Sequence, residues 1–188
     1  LLGGYNSDCS ARVIKPDNTV FDADAADIVR IQPINDLLIE GIRFQNVGNS
    51  KQVQVLAAAA GVTASLRNNA FVGVSSWNVP GPTPDRGSAS DMAINFLNNR
   101  VHGFPGFASV SAVYMGAMSS IRFTGNTIVD NQGESGVYIC SSSSNVWLLD
   151  NIAWNNNGQD FRVYEDCGDT DLGEARFRAN LYQSAQLT

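Results

Sequence analysis

Residues 121–131, IRFTGNTIVDN, hold the pattern that decides the fold. Apolar side chains at Ile121 and Phe123 alternate with polar ones, an asparagine follows at Asn126, and another apolar residue stands at Ile128. Alternation with a period of two predicts a β-strand with one buried face, because successive side chains of a strand point to opposite sides. The stretch therefore predicts a short strand that ends in a bend at the asparagine.

The same pattern recurs along the chain. The asparagine position is occupied in turn by Ile42, Asn69, Asn99, Asn126, Asn151 and Asn180. The intervals between these positions are 27, 30, 27, 25 and 29 residues. Further alternating segments follow the bends, among them Val113-x-Met115 and Val137-x-Ile139. Self-similarity at such a period is typical of stacked repeats, so each repeat is predicted to supply at least two short strands.

Stacking is required because a strand pair of this length cannot bury a core alone. If each strand pairs with its equivalent in the next repeat, the chain forms an all-β, parallel β-solenoid: one domain over residues 1–188 with six or seven coils. Asparagine suits the bends, since it tolerates left-handed backbone angles and its amide can hydrogen-bond to the asparagines above and below. The predicted ladder comprises Asn69, Asn99, Asn126, Asn151 and Asn180.

Two stretches carry a family resemblance, namely 121–131 and the opening segment LGGY at 2–5, which is followed by Cys9 and Arg12. Through them the chain resembles right-handed parallel β-helix proteins of the pectin-lyase-like superfamily, of the bacterial secreted or surface type. The resemblance implies a right-handed, single-stranded β-helix and a secreted or cell-surface location. It specifies the fold far more than any activity.

Charge and composition narrow the classes of partner. The net charge is −6, and nucleic acid is disfavoured because binding phosphates requires a basic face. No run of 18 apolar residues occurs, so no membrane-spanning segment is expected. The chain opens Leu-Leu-Gly-Gly, without Met or a basic leader. We therefore expect either a removed signal peptide or a fragment excised from a longer chain.

The repeat is interrupted in three places. Residues 80, 82 and 84 are prolines, so a loop is predicted over 75–90 in place of a ladder strand. Carboxylates cluster in 22–27 (Asp22, Asp24, Asp27) and in 166–174 (Asp166, Asp169, Asp171, Glu174). Such carboxylates can hold Ca²⁺, although neither cluster has the EF-hand spacing, and solvated acidic loops are the alternative.

The three cysteines lack the spacing of a metal site. Cys140 and Cys167 are 27 residues apart, about one coil, so a disulfide between adjacent coils is geometrically plausible. Such a bond would fit an oxidising compartment and leave Cys9 unpaired. The alternative is two buried free thiols within the stack.

The register also predicts an outward face. Residues that alternate with the buried ones on the first strand of each repeat include Arg67, Arg122, Trp147, Arg176 and Arg178. The planar guanidinium suits carboxylates and the Trp face suits sugar rings, so these residues are candidate ligands for an acidic polysaccharide. The superfamily resemblance likewise implies a polysaccharide groove on an outer strand face. Alternatively, the arginines are ordinary exposed strand residues and Trp147 packs beneath the proline loop.

Signatures of catalysis are weak. Hydrolysis in the manner of polygalacturonases needs paired carboxylates, and no Asp-Asp pair occurs; His102-Gly103 is the only echo of that family. We therefore favour a non-catalytic secreted or surface module that binds carbohydrate or acts in adhesion. One alternative is a polysaccharide lyase or glycoside hydrolase, whose lyase form would use Ca²⁺. The other is a structural unit that self-associates end to end.

Overall fold

The computed structural model describes residues 1–5, 8, 10–22, 29–45, 53–56, 59–73, 82–85, 92–104, 111–116, 118–140, 145–164 and 176–187. Within these ranges nearly all regular structure is β, and the one helix is the 3₁₀ turn Pro16–Asn18. No helix in this part of the chain has the length and apolar character needed to cross a membrane.

The strands are β1 (Val20–Asp22), β2 (Val29–Ile31), β3 (Leu37–Glu40), β4 (Arg43–Gln45), β5 (Val53–Leu56), β6 (Thr63–Arg67), β7 (Ala70–Val72), β8 (Pro82–Asp85), β9 (Ala93–Leu97), β10 (Arg100–His102), β11 (Ser111–Gly116), β12 (Ser120–Thr124), β13 (Thr127–Val129), β14 (Ser135–Cys140), β15 (Val146–Leu149), β16 (Ile152–Trp154), β17 (Gln159–Tyr164), β18 (Arg176–Arg178) and β19 (Ala185–Leu187). Every ladder between these strands is parallel.

The strands stack into three faces. The front sheet has the order β18-β15-β12-β9-β6-β3, and the side sheet has the order β1-β4-β7-β10-β13-β16. The third face is divided between β2-β5-β8 and β11-β14-β17-β19. Each strand pairs with its counterpart one repeat away, which confirms the predicted parallel β-solenoid.

The number of complete coils is smaller than expected. In the front sheet β6, β9, β12 and β15 pair with a strand on both sides, and in the side sheet β4, β7, β10 and β13 do. The part of the chain that the structure describes therefore has about four complete turns, not six or seven, because the remaining strands lie at sheet edges in partial coils.

The proline-rich segment is a strand where a loop was expected. Residues 74–81 and 86–91 lie outside the described residues, but β8 pairs with β5, and its register sets Pro82 opposite Val53 and Pro84 opposite Val55. The prediction was wrong there because prolines two residues apart lack donors along the same edge of the strand, which leaves the other edge able to pair. β11 lies next to β8, yet the described ladders do not join them. The missing donors explain why the third face is split at this point.

The core lies between the three faces and is filled by the inward residues of the repeat. In the front sheet the register aligns Ile39, Leu66, Phe96, Phe123 and Leu148, all buried. The Phe96 and Phe123 rings stack at 5.1 Å, and Phe96 contacts Phe71 of the side sheet at 5.8 Å. These contacts confirm the predicted inward columns, and stacked aromatic rings contribute beyond their buried area.

The asparagine ladder is present along its whole predicted length. Asn69 Nδ2 donates to Asn99 Oδ1 at 3.1 Å, and Asn126 Nδ2 donates to Asn151 Oδ1 at 3.0 Å. The series ends at Asn180, whose Oδ1 accepts from Asn151 Nδ2 at 2.9 Å. Each of these amides also donates to a backbone carbonyl, as Asn126 does to Phe96 O at 2.8 Å. The ladder therefore satisfies buried backbone groups at the bends between the front and side sheets.

The left-handed residue of each bend is not the ladder asparagine, contrary to the expectation. The residue immediately before each ladder position has φ between 52° and 70°; these residues are Gly41, Asn68, Asn98, Gly125, Asp150 and Ala179. The preceding residue makes the turn, and the asparagine is then free to direct its amide into the stack. Glycine, asparagine and aspartate adopt this conformation readily, whereas alanine does so at a cost.

A second, shorter ladder was not predicted. Asn131 Nδ2 donates to Asn156 Oδ1 at 2.8 Å, and Phe104 N donates to Asn131 Oδ1 at 3.1 Å. The preceding residues Asp130 and Asn155 again have positive φ, of 58° and 55°. This ladder supports the bend from the side sheet to the third face.

Candidate binding surface on the front sheet

The register places the five predicted residues on one outer surface. One row of the front sheet runs Leu38, Ser65, Asn95, Arg122, Trp147 and Arg176. The adjacent row runs Glu40, Arg67, Leu97, Thr124, Leu149 and Arg178. The described side chains of both rows alternate with the buried residues and therefore face outward. The side chain of Arg176 lies outside the description.

The centre of this surface joins a cation to an aromatic ring. Arg122 is exposed and Trp147 is half-buried, and they occupy equivalent positions on the paired strands β12 and β15. Neighbouring strands lie about 4.8 Å apart, so the two side chains emerge side by side. On the other side of Arg122, Asn95 Nδ2 donates to Ser65 Oγ at 3.2 Å. Arg122, Trp147 and Asn95 thus form a continuous polar and aromatic strip, termed here the front strip.

Arg67 is held in an internal ion pair. Its Nε lies 2.6 Å from Glu40 Oε1, and Arg12 Nη2 lies 2.6 Å from Glu40 Oε2. Although Glu40 belongs to an outward row, it is only 1% exposed. The opening segment accounts for this burial, because Leu2 pairs with Glu40 and Gly3 N donates to Glu40 O at 2.7 Å.

The pKa of the Glu40 carboxyl is lower than usual. Burial alone would raise its pKa, but hydrogen bonds and charge from Arg12 and Arg67 outweigh burial and hold the pKa below its usual value. The sequence contained a signal for this pair, since opposite charges that face each other across paired strands attract. Arg67 is therefore a stabilising residue at the edge of the candidate surface. Arg178, on the last front strand, is exposed.

Several predicted features lie partly outside the described residues. Cys140 is disulfide-bonded, but Cys9 and Cys167 are not described, so the pairing with Cys167 stays a prediction. The acidic segment 166–174 and most of 22–27 are likewise outside the description. In the described ranges no group of three His, Cys, Asp or Glu residues could hold a metal ion. Binding of Ca²⁺ by those segments remains a hypothesis.

A row of aromatic residues on the third face was missed. Tyr114 and Tyr138 stack at 5.5 Å, and the guanidinium of Arg162 lies 5.5 Å from the Tyr138 ring centroid. Arg162 also forms an ion pair with Glu134. The 24-residue interval between these equivalent positions was the available signal. Stacking and cation–π contacts reinforce this outer surface.

Comparison of the chain with protein-family models, curated proteins and solved structures found no match. The geometry itself defines the class: a parallel β-solenoid with an outer polar and aromatic strip.

Proposed function

We propose that the protein is a non-catalytic, secreted or cell-surface β-solenoid module of the bacterial pectin-lyase-like type that binds an acidic polysaccharide and acts in adhesion. The observation that carries this proposal is the juxtaposition of Arg122 and Trp147 on the front strip. The proposed ligand lies along the solenoid axis, across the front strands.

The chemistry of the strip supports an acidic sugar over a neutral one. Arginine donates two parallel hydrogen bonds to a carboxylate, and an indole ring presents an apolar face of the kind on which a sugar ring can lie. Asn95 adds an amide that can bond to hydroxyl groups. Arg178 lies farther along the same face and supplies a second positive charge. The chain as a whole is acidic, so an anionic ligand would be attracted by the local positive charge of these arginines.

Binding is tested with a panel of uronate polymers and matched neutral glycans. Arg122→Gln and Trp147→Ala are each expected to weaken binding of an acidic glycan about tenfold, the loss of one charge-assisted or stacking contact. Two matched controls lie on other faces: Arg30→Gln on β2 and Trp154→Ala on β16. Both controls are expected to bind as the wild type does.

Urea denaturation of all four variants separates binding from folding. Binding that is unchanged in Arg122→Gln and Trp147→Ala would refute the proposal. A large loss of stability in Trp147→Ala would instead show that this ring mainly packs. Release of unsaturated, ultraviolet-absorbing oligosaccharide from any polymer would replace the binding proposal with a lyase.

A further inference from the structure

A second basic cluster lies on the outer surface of the side sheet, away from the front strip. Arg43, Ala70 and Arg100 occupy equivalent positions on β4, β7 and β10. His102 lies two residues after Arg100 and faces the same way, opposite Val72. With strands about 4.8 Å apart, the two arginine backbones are on the order of 10 Å apart with an alanine between them.

The residue between the two arginines is small, so only a methyl group stands between them on the sheet. Ala70 and Val72 are each 8% exposed, so they form a covered floor between the longer side chains. Arg100 is exposed and His102 is half-buried.

Arg43 has unused hydrogen-bonding capacity. Its Nη1 lies 3.1 Å from Asp17 Oδ1, and the Asp17 side chain is 78% exposed. Its Nε is buried and has no hydrogen-bond partner among the described residues. A buried donor without an acceptor costs free energy. The Arg43 side chain as a whole is 35% exposed, so part of it can meet a ligand.

We propose that Arg43, Arg100 and His102 form an oxyanion site that takes a carboxylate or sulfate group over Ala70. Two guanidinium forks supply charge-assisted hydrogen bonds, and the apolar floor strengthens them by excluding water. Asp17 competes with the ligand for Arg43 and so limits affinity. The site is independent of the front strip and does not depend on the function proposed above.

His102 is a reporter for this site because it is the only histidine of the chain. Burial lowers its pKa, and the positive charges of Arg100 and Arg43 lower it further, while the Asp130 carboxylate opposes them. The side-sheet neighbours that face His102 on the paired strands are Val72 and Val129, which are apolar. A bound oxyanion would offset the arginine charges, so the pKa of His102 should rise on binding.

The experiment follows the His102 ring by NMR while sodium sulfate or sodium glucuronate is added, with sodium chloride adjusted to keep the ionic strength constant. We expect a saturable rise in the pKa of His102 with either anion and none with neutral glucose. Arg100→Gln should weaken the apparent affinity about tenfold, because one of two charge-assisted contacts is lost. Asp17→Asn should strengthen it about twofold by removing the competing carboxylate. Arg30→Gln, on the third face, is the charge-matched control.

Saturation by both anions would identify the oxyanion itself as the recognised group, and saturation by glucuronate alone would identify an acidic saccharide. An equal rise in the pKa of His102 with chloride alone, or an unchanged anion affinity in Arg100→Gln, would overturn the proposal. Because Arg100 is exposed, its replacement should leave the fold intact, and Arg43→Gln provides a second variant for the same comparison. Weaker binding by Asp17→Asn would also contradict the assigned competition.

Discussion

Replacement of Asn126 by alanine should lower the free energy of unfolding by about 4 kcal/mol, because it leaves two buried backbone groups of the neighbouring coil without a partner. Asn126 is 0% exposed. Its Nδ2 donates to Phe96 O at 2.8 Å, and its Oδ1 accepts from Asn99 N at 2.8 Å. Neither backbone group has another side-chain partner among the described residues, and both lie where the ladder excludes water.

The magnitude follows from the groups that remain. Asn99 Nδ2 still donates to Leu66 O, and Asn151 Oδ1 still accepts from the backbone N–H of residue 126. Two buried backbone groups are therefore left unsatisfied, at about 1–3 kcal/mol each, and the vacated amide leaves a small cavity. The expected loss is several times that of an ordinary surface substitution.

Urea denaturation followed by circular dichroism measures this loss, with two matched asparagines as controls. Asn180→Ala, at the half-buried end of the ladder, should cost about 1 kcal/mol because water can replace the lost partners. Asn95→Ala, which loses one contact with a serine hydroxyl on the outer surface, should cost less than about 0.5 kcal/mol. The reasoning is refuted if Asn126→Ala is no more destabilising than Asn95→Ala.

Two further predictions concern backbone conformation and acid stability. Ala179 has φ 55°, so Ala179→Gly should stabilise the fold by about 0.5–1 kcal/mol. Gly125→Ala should destabilise the fold, because a Cβ at this position would lie 2.3 Å from Asn98 Oδ1. Thermal unfolding of both variants tests this, and a lower midpoint for Ala179→Gly would contradict it. The pKa of Glu40 is depressed in the folded state. Its ionised carboxylate therefore stabilises the fold above the pKa of the unfolded chain, about 4.3, and this stabilisation is lost as pH falls through the pKa of the folded state. Glu40→Gln should therefore lower the free energy of unfolding by about 1–2 kcal/mol at neutral pH, and the variant and the wild type should become more alike in acid. Denaturation across a pH series measures this difference, and a difference that does not change with pH would disprove the assignment.

Predictions from the sequence were accurate wherever one repeat determines the next. The alternation around Asn126 gave the buried row and the outward row correctly, because strand side chains strictly alternate and stacked coils repeat the same register. For the same reason the periodicity alone places Arg122 and Trp147 next to each other. Residues in equivalent positions of equivalent repeats must be neighbours.

Predictions were less accurate wherever a segment outside the repeat intervenes. The ion pair of Arg67, a predicted ligand-binding residue, was not foreseen, because the burial of its partner Glu40 depends on the opening segment 1–5 and on Arg12, 28 residues away. Pro82 and Pro84 were predicted to lie in a loop. They lie in strand β8 instead, because the strand edge that lacks their N–H donors is not the edge that pairs with β5. The turning residue was placed one position too late, because asparagine is favoured both for left-handed turns and for amide ladders.

The sequence by itself determined the parallel β-solenoid, its columns and its asparagine ladder, since these follow from periodicity and local side-chain preference. Only the tertiary structure decided which charged groups are used internally and which remain at the surface. Glu40 holds Arg67 in an ion pair, while Arg43 and Arg100 occupy the positions on either side of Ala70 although they are 57 residues apart in the chain. The repeat makes such residues neighbours, but the burial of Glu40 depends on an opening segment that lies outside the repeat, so the repeat pattern does not encode it.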